Sequence, residues 1–174
     1  MEKYSWGDLP SQTAFPIARA GYPIIFVCGF TTFVLALLGL TILSLTGLAI
    51  TFFVCFFFRD PDRVVPNQDG ALVSPADGKV VFADTVEEDT YFQGPCRKIS
   101  IFMSVFNVHV NRIPHDGTVG RVSYYPGKFF SANLDKASKE NEHNAVFIET
   151  ETGVKYCVVQ IAGLIARRII SRVQ

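Results

Sequence analysis

The sequence predicts a mainly β soluble domain, barrel- or sandwich-like, preceded by an N-terminal apolar α-helical hairpin. Three observations carry this prediction. No charged residue occurs between Ala20 and Phe58. Small and polar residues, Gly39, Thr41, Ser44, Thr46 and Gly47, cluster near the middle of that run. From about Val64 onward, short apolar stretches alternate with turn-forming Pro, Gly, Asp and Asn, the spacing expected of short strands.

The apolar run comes first. At about 1.5 Å per residue a continuous helix would be over 50 Å long, against about 30 Å of bilayer hydrocarbon. A break at the Gly/Thr/Ser cluster gives two helices, roughly Ile24 to Leu38 and Leu45 to Phe58. A tilted pair, a thin crossing, a re-entrant hairpin, a single tilted span and a buried core hairpin of a soluble protein are the readings open for this run. The run is too long for a signal peptide, and no small-x-small cleavage site follows it. Arg19 precedes it and Arg59 and Arg63 follow it, a basic flanking that favours the cytoplasmic side. Pro61 and Pro66 bar continuation of the second helix.

The β elements follow. "ALVSPADGKVVFAD" reads as a turn feeding a strand, and "KISIFMSVFNVHVNRI" as one long strand or two with a kink. "GTVGRVSYY" reads as a strand broken by Gly120. "NAVFIETETGVKYCVVQIAGLIARRII" reads as a hairpin about Thr150 to Gly153 with further strand after it. "GKFFSANLDKASKENEHN" is polar, lacks alternation, and reads as an ordered loop of a length that is usually functional. The domain boundaries expected are 1–58 for the tail and membrane-associated hairpin and 59–174 for the β-rich domain.

Composition excludes some functions. Lys plus Arg and Asp plus Glu both number 16, so no basic stripe points to nucleic acid. The four cysteines, Cys28, Cys55, Cys96 and Cys157, have no CxxC spacing and read as reduced and structural, without metal.

The stretch most suggestive of chemistry is "SVFNVHVNRIPHDG". Read as a strand, it puts Phe106, Val108 and Val110 on one face and Asn107, His109 and Asn111 on the other. The second face is either solvated or a row of hydrogen-bonding groups around an imidazole. Asp77, in "SPADGKV", occupies a turn. His115 occupies another, His143 lies in the polar loop, and Lys128 follows "YYPG".

Taken in order, "FFRDPDR", "SPADGKV", "IFMSVFNVHVNRIPHDG", "YYPGKFFSANLDKASKENEHN" and "QIAGLIARRI" resemble the short bacterial and archaeal type of phosphatidylserine decarboxylase proenzyme, from about Phe57 to Arg168. His143 departs from the pattern, where Arg is expected. The resemblance implies self-cleavage at a Gly-Ser bond, leaving a pyruvoyl group on a small α chain. That carbonyl would join the amine of phosphatidylserine and take up the electrons left by CO2, giving phosphatidylethanolamine. It implies catalytic roles for Asp77 and His109, with His115 in reserve. Asn107, Asn111, Lys128 and His143 become candidates for substrate binding. The implied partners are phosphatidylserine, the bilayer of the cell membrane and the α chain, with homo-oligomerisation left open. None of the thirteen glycines is followed by Ser, so the expectation is a β-chain portion, truncated before the processing site and inactive alone. The rival reading is a membrane-tethered, non-catalytic β domain that binds a ligand or partner.

Overall fold

The computed structural model describes residues 16–66, 68, 70–87, 89–131 and 140–172. Contacts divide the chain into two compact units, Met1–Asp69 with Met103–Asn111, and Gly70–Phe102 with Arg112–Gln174.

The first unit holds the helical hairpin, α1 (Tyr22–Leu37) and α2 (Thr41–Phe57). Pro23 stands in the first turn of α1, where its missing N–H costs nothing. The break is earlier and tighter than expected, so α2 begins at Thr41 rather than near Leu45. Gly39, at φ +72°, reverses the chain in the left-handed conformation that ends many helices. The hairpin closes at its other end. Ile17 and Arg59 form an antiparallel bridge, and the Ala18 and Asp60 amides donate to Phe58 O and Pro16 O, both at 2.8 Å. The two ends therefore emerge side by side, which a single span would not give. A Cβ on Gly47 would lie 2.7 Å from Thr32 Oγ1, so glycine permits the close approach of the helices there. No residue of either helix is buried. The segment Arg19–Leu37 is long and apolar enough to cross a membrane, while Thr41–Phe57 is shorter.

The second unit is an open arrangement of two antiparallel sheets, sandwich-like rather than a closed barrel. One sheet pairs β1 (Lys79–Val86) with β2 (Cys96–Phe102), and the other has the order β3 (Thr118–Tyr125), β4 (His143–Glu149), β5 (Lys155–Ile161). Gly78 introduces β1 because a Cβ there would collide with the Phe102 carbonyl. Gly120 does not end β3. It makes a register shift between Val119 and Arg121, a bulge that keeps the strand running. The β4–β5 turn falls at Thr150–Gly153 as expected, with Gly153 N–H donating to Thr150 O at 3.0 Å. β4 is the central strand and carries most of the core. Ala145, Val146 and Ile148 are buried there, together with Ala162 just after β5.

Three expectations need correction. β2 ends at Phe102, and Met103–Asn111 is not strand. His143 and Asn144 are not in the loop, because Tyr125 and Tyr124 on β3 pair with them and start β4. No strand follows β5 among the described residues. Ala162 N–H donates to Glu142 O at 2.8 Å and Gly163 N–H to Ala166 O at 3.0 Å, which turns the chain away from the ladder. Residues 132–139 of the expected loop and 1–15 of the tail lie outside the described residues.

Candidate active site

His109 belongs to the first unit. Its segment folds on itself before reaching the imidazole. Asn107 Oδ1 accepts from the backbone N–H and the hydroxyl of Ser104, both at 2.8 Å. Asn107 N–H donates to Ser104 O at 2.9 Å. A short polar side chain has captured the backbone and displaced a strand. The face pattern drawn from alternation therefore does not apply. Val108 is buried, but Phe106 is exposed, its ring edge-on to Phe53 at 6.5 Å and 84°.

The turn delivers His109 onto the last turn of α2. Its ring stacks on Phe57, centroids 4.2 Å apart and planes 25° apart. His109 Nδ1–H donates to the Asn107 carbonyl at 2.9 Å, so the remaining basic nitrogen is Nε2. Burial holds the imidazole below its ordinary pKa, the Asn107 carbonyl opposes this, and the Arg59 cation adds to the lowering. At neutral pH the ring is thus an uncharged base with one face covered by an aromatic ring. Asn111, in the same unit, turns its amide toward Met103 Sδ at 3.5 Å.

The remaining candidates lie in the second unit. Asp77 sits half-buried in the turn before β1, where Ser74 Oγ donates to Ala76 O at 2.7 Å. Lys128 is exposed and pairs with Glu140 at 2.9 Å. His143 stacks on Tyr125 at 4.6 Å and 17° and donates Nδ1–H to Asn141 O at 2.7 Å. Tyr91 meets it edge-on at 6.3 Å, its hydroxyl pushed up to about 12 by burial first and by Cys157, Tyr125 and Asp89 after it. His115 donates Nδ1–H to Asp116 O at 2.7 Å, and its carbonyl accepts from the Tyr156 hydroxyl.

Sequence reasoning passed over Asn141. It is 1% exposed. Its Oδ1 accepts from Phe130 N–H, and its Nδ2 donates to Phe130 O and Ala162 O, all at 2.8 Å. It ties the segment after β3 to the segment after β5. It also passed over Phe57, on which the His109 ring stacks.

The phosphatidylserine decarboxylase family profile matches residues 50–174. The phosphatidylserine decarboxylase proenzyme of Syntrophus aciditrophicus is 50% identical over 158 residues, covering 88% of this chain and 73% of that protein. That of Geotalea uraniireducens is 50% identical over 155 residues, 89% of this chain and 72% of that protein. That of Burkholderia mallei is 47% identical over 158 residues, 91% of this chain and 73% of that protein. The chain belongs to the phosphatidylserine decarboxylase family, carboxy-lyases of phospholipid synthesis.

Proposed function

We propose that this chain serves the pyruvoyl-dependent decarboxylation of phosphatidylserine to phosphatidylethanolamine, with His109 and Asp77 as its catalytic side chains. The carrying observation is the His109 ring seated on Phe57 at the end of an exposed apolar hairpin, with its pKa held low mainly by burial. A diacyl lipid leaves the bilayer at a cost of about 0.8 kcal/mol for each exposed CH2. A reactive imidazole at the base of a membrane-embedded hairpin would meet the headgroup without that cost. The basic flanks Arg19, Arg59 and Arg63 support a cytoplasmic site.

The donor set fits a pyruvoyl group. That group, when present, supplies a carbonyl that takes up the electrons left by departing CO2. What the chain then needs is a group that moves one proton at neutral pH in a place shielded from water. His109 Nε2 meets that need, since Nδ1 keeps its proton on Asn107 O and Phe57 covers a ring face. Because the Asn107 carbonyl already fixes the tautomer, Asp77 is assigned to the self-cleavage step, serving a Ser from outside these 174 residues. Lys128 and His143 are assigned to the anionic headgroup. Asn107 and Asn111 are assigned to holding the His109 segment.

The test expresses the chain with its natural downstream coding sequence. The protein should split in two, and the smaller piece should carry a carbonyl trapped by a hydrazine. His109→Ala should lower decarboxylation by about 10²–10⁴-fold, and Asp77→Ala should slow the splitting. A protein that stays intact, traps no carbonyl and leaves phosphatidylserine unchanged would overturn the proposal in favour of a tethered binding domain.

A further inference from the structure

We propose that Arg59 is a positioning residue that latches the His109 segment onto the C-terminal end of α2; the proposal rests on His109 being the reactive imidazole. Met103–Asn111 has no strand ladder to hold it. Its own turn fixes Ser104 to Asn107, but that turn alone does not place the imidazole against Phe57. Arg59 adds a hydrogen-bonded link beside the Phe53–Phe106 ring contact. Its Nη1–H donates to Phe56 O at 2.8 Å, and its Nη2–H donates to Phe106 O at 2.7 Å. The guanidinium lies 3.7 Å from the Phe56 ring centroid.

Each acceptor has a reason to need it. Phe56 O belongs to the last turn of α2, where the Arg59 N–H reaches it only at 3.4 Å and leaves room for the closer guanidinium bond. Phe106 O belongs to the exposed tip of the Ser104–Asn107 turn. The residue after Phe56 is Phe57 and the third after Phe106 is His109, so one planar fork spans the two backbones that carry the two halves of the stack. The Ile17–Arg59 bridge fixes the backbone of Arg59 itself. Lysine, a single ammonium on a flexible stem, cannot reproduce a two-pronged planar donor. Arg59 is also a charge that acts on the ring, which stacks on Phe57 and bonds to Asn107 O.

The test uses the full chain in detergent micelles with histidine ring carbons labelled, and reads His109 by NMR. In the parent, the Phe57 ring 4.2 Å away should displace the His109 ring signals upfield, and the ring should titrate below the usual histidine value. In Arg59→Gln the upfield displacement should collapse, and the titration should move up. Arg59→Lys should keep the low titration and lose part of the displacement. In the processed enzyme, Arg59→Gln should lower turnover by about 10²-fold, the size of a misplacement of about 1 Å, and Arg59→Lys should recover part of it. Unchanged ring displacement and titration in both variants would overturn the latch. If Arg59→Gln does not fold, Arg59→Lys decides, since a displacement equal to the parent's overturns it. A His109→Ala enzyme with full activity would overturn the proposed function, while leaving the NMR result standing as a statement about structure.

Discussion

Ile42 in α2 is 81% exposed and Ile148 in β4 is 3% exposed. Both are isoleucines in regular, hydrogen-bonded elements. They differ in what their surroundings supply. The sheet unit builds its own apolar medium around β4, with Val146 and Ile148 on one face and Ala145 on the other. The hairpin turns Phe26, Phe30, Phe33 and Phe52 outward all around, an apolar surface that the bilayer would cover under the proposed function. The His109 segment, though separated from the hairpin in sequence, belongs to the hairpin's unit. The candidate base therefore shares a unit with the exposed apolar hairpin, which is where the proposed function would have it meet a lipid headgroup.

The sharpest test of this contrast is a pair of truncations. Ile148→Ala should destabilise the sheet unit by about 2–5 kcal/mol, the usual cost of a core cavity. Ile42→Ala should change stability in micelles by about 0.5 kcal/mol or less. Denaturant unfolding followed by circular dichroism measures both. Equal costs would mean that the hairpin face is packed against protein, and the contrast would be wrong.

Next in size is Asn141→Ala. The substitution removes three bonds of 2.8 Å, from the Phe130 N–H and to the Phe130 and Ala162 carbonyls, the last of them buried. A buried group left unsatisfied costs about 1–3 kcal/mol, so a loss of about 2 kcal/mol or more is expected. Asn141→Asp keeps the acceptor, removes both donors and adds a charge, and should be worse than Ala. Faster amide exchange at Phe130 in both variants would locate the damage.

How much of this was legible in the sequence depends on the range of the interactions. The hairpin was legible because absence of charge is a bulk property of a run, and because Gly39 marks its own break. β1 and the β4–β5 turn were legible from local turn chemistry at Gly78 and Gly153, whereas at β3 the sequence showed the strand but took the Gly120 bulge for a break. The error at Met103–Asn111 has a local cause. The alternation of Phe106, Val108 and Val110 is real, but Asn107 uses its side chain to close a turn on Ser104, which a period-two reading does not register. His143 was misplaced for a non-local reason, since only pairing with Tyr125 makes it strand. His109 was singled out as an imidazole among amides. Its partners Phe57 and Arg59 were not, because about fifty residues separate them from it in the chain. The one signal was the abrupt "FFFRDP", which reads equally well as a membrane boundary.

The third prediction asks whether the hairpin sets the chemistry of His109. Phe57→Leu keeps an apolar side chain but removes the flat platform, so the ring gains water. Burial is the main cause of the low pKa, so the pKa should rise toward the ordinary value of about 6.5. The sign for stability follows. With the folded value below the unfolded one, the unfolded state binds more protons between them, and stability falls as pH drops through about 6.5 toward the folded value. Phe57→Leu narrows that window and should flatten the loss. The acid limb of the activity profile should move to higher pH with it. A limb that stays in place would separate His109 from Phe57.

The smallest effect concerns what holds the two helices together. Thr32 Oγ1 and Thr51 Oγ1 lie 3.2 Å apart across the hairpin and invite a reading as an interhelical bond. Counting hydrogens argues against giving it much weight. Each hydroxyl has one hydrogen, and each oxygen already sits 2.8 Å from a carbonyl of its own helix, Thr32 on Cys28 O and Thr51 on Gly47 O. Two hydrogens serve three contacts, so the cross-helix contact forms only when one backbone bond is given up. Hydrogen bonds between membrane helices average about 0.6 kcal/mol even when a hydrogen is free for them. In a double-mutant cycle of Thr32→Val and Thr51→Val, the coupling should be about 0.6 kcal/mol or less. Gly47→Val should splay the helices outright, because its side chain would enter the space held by Thr32. The approach is thus set by the missing side chain at Gly47, with the hydroxyl pair as its by-product. A coupling well above 1 kcal/mol would reverse that order and make the hairpin a unit with an internal polar tie of its own, closer in kind to the sheet unit than its bare surface implies.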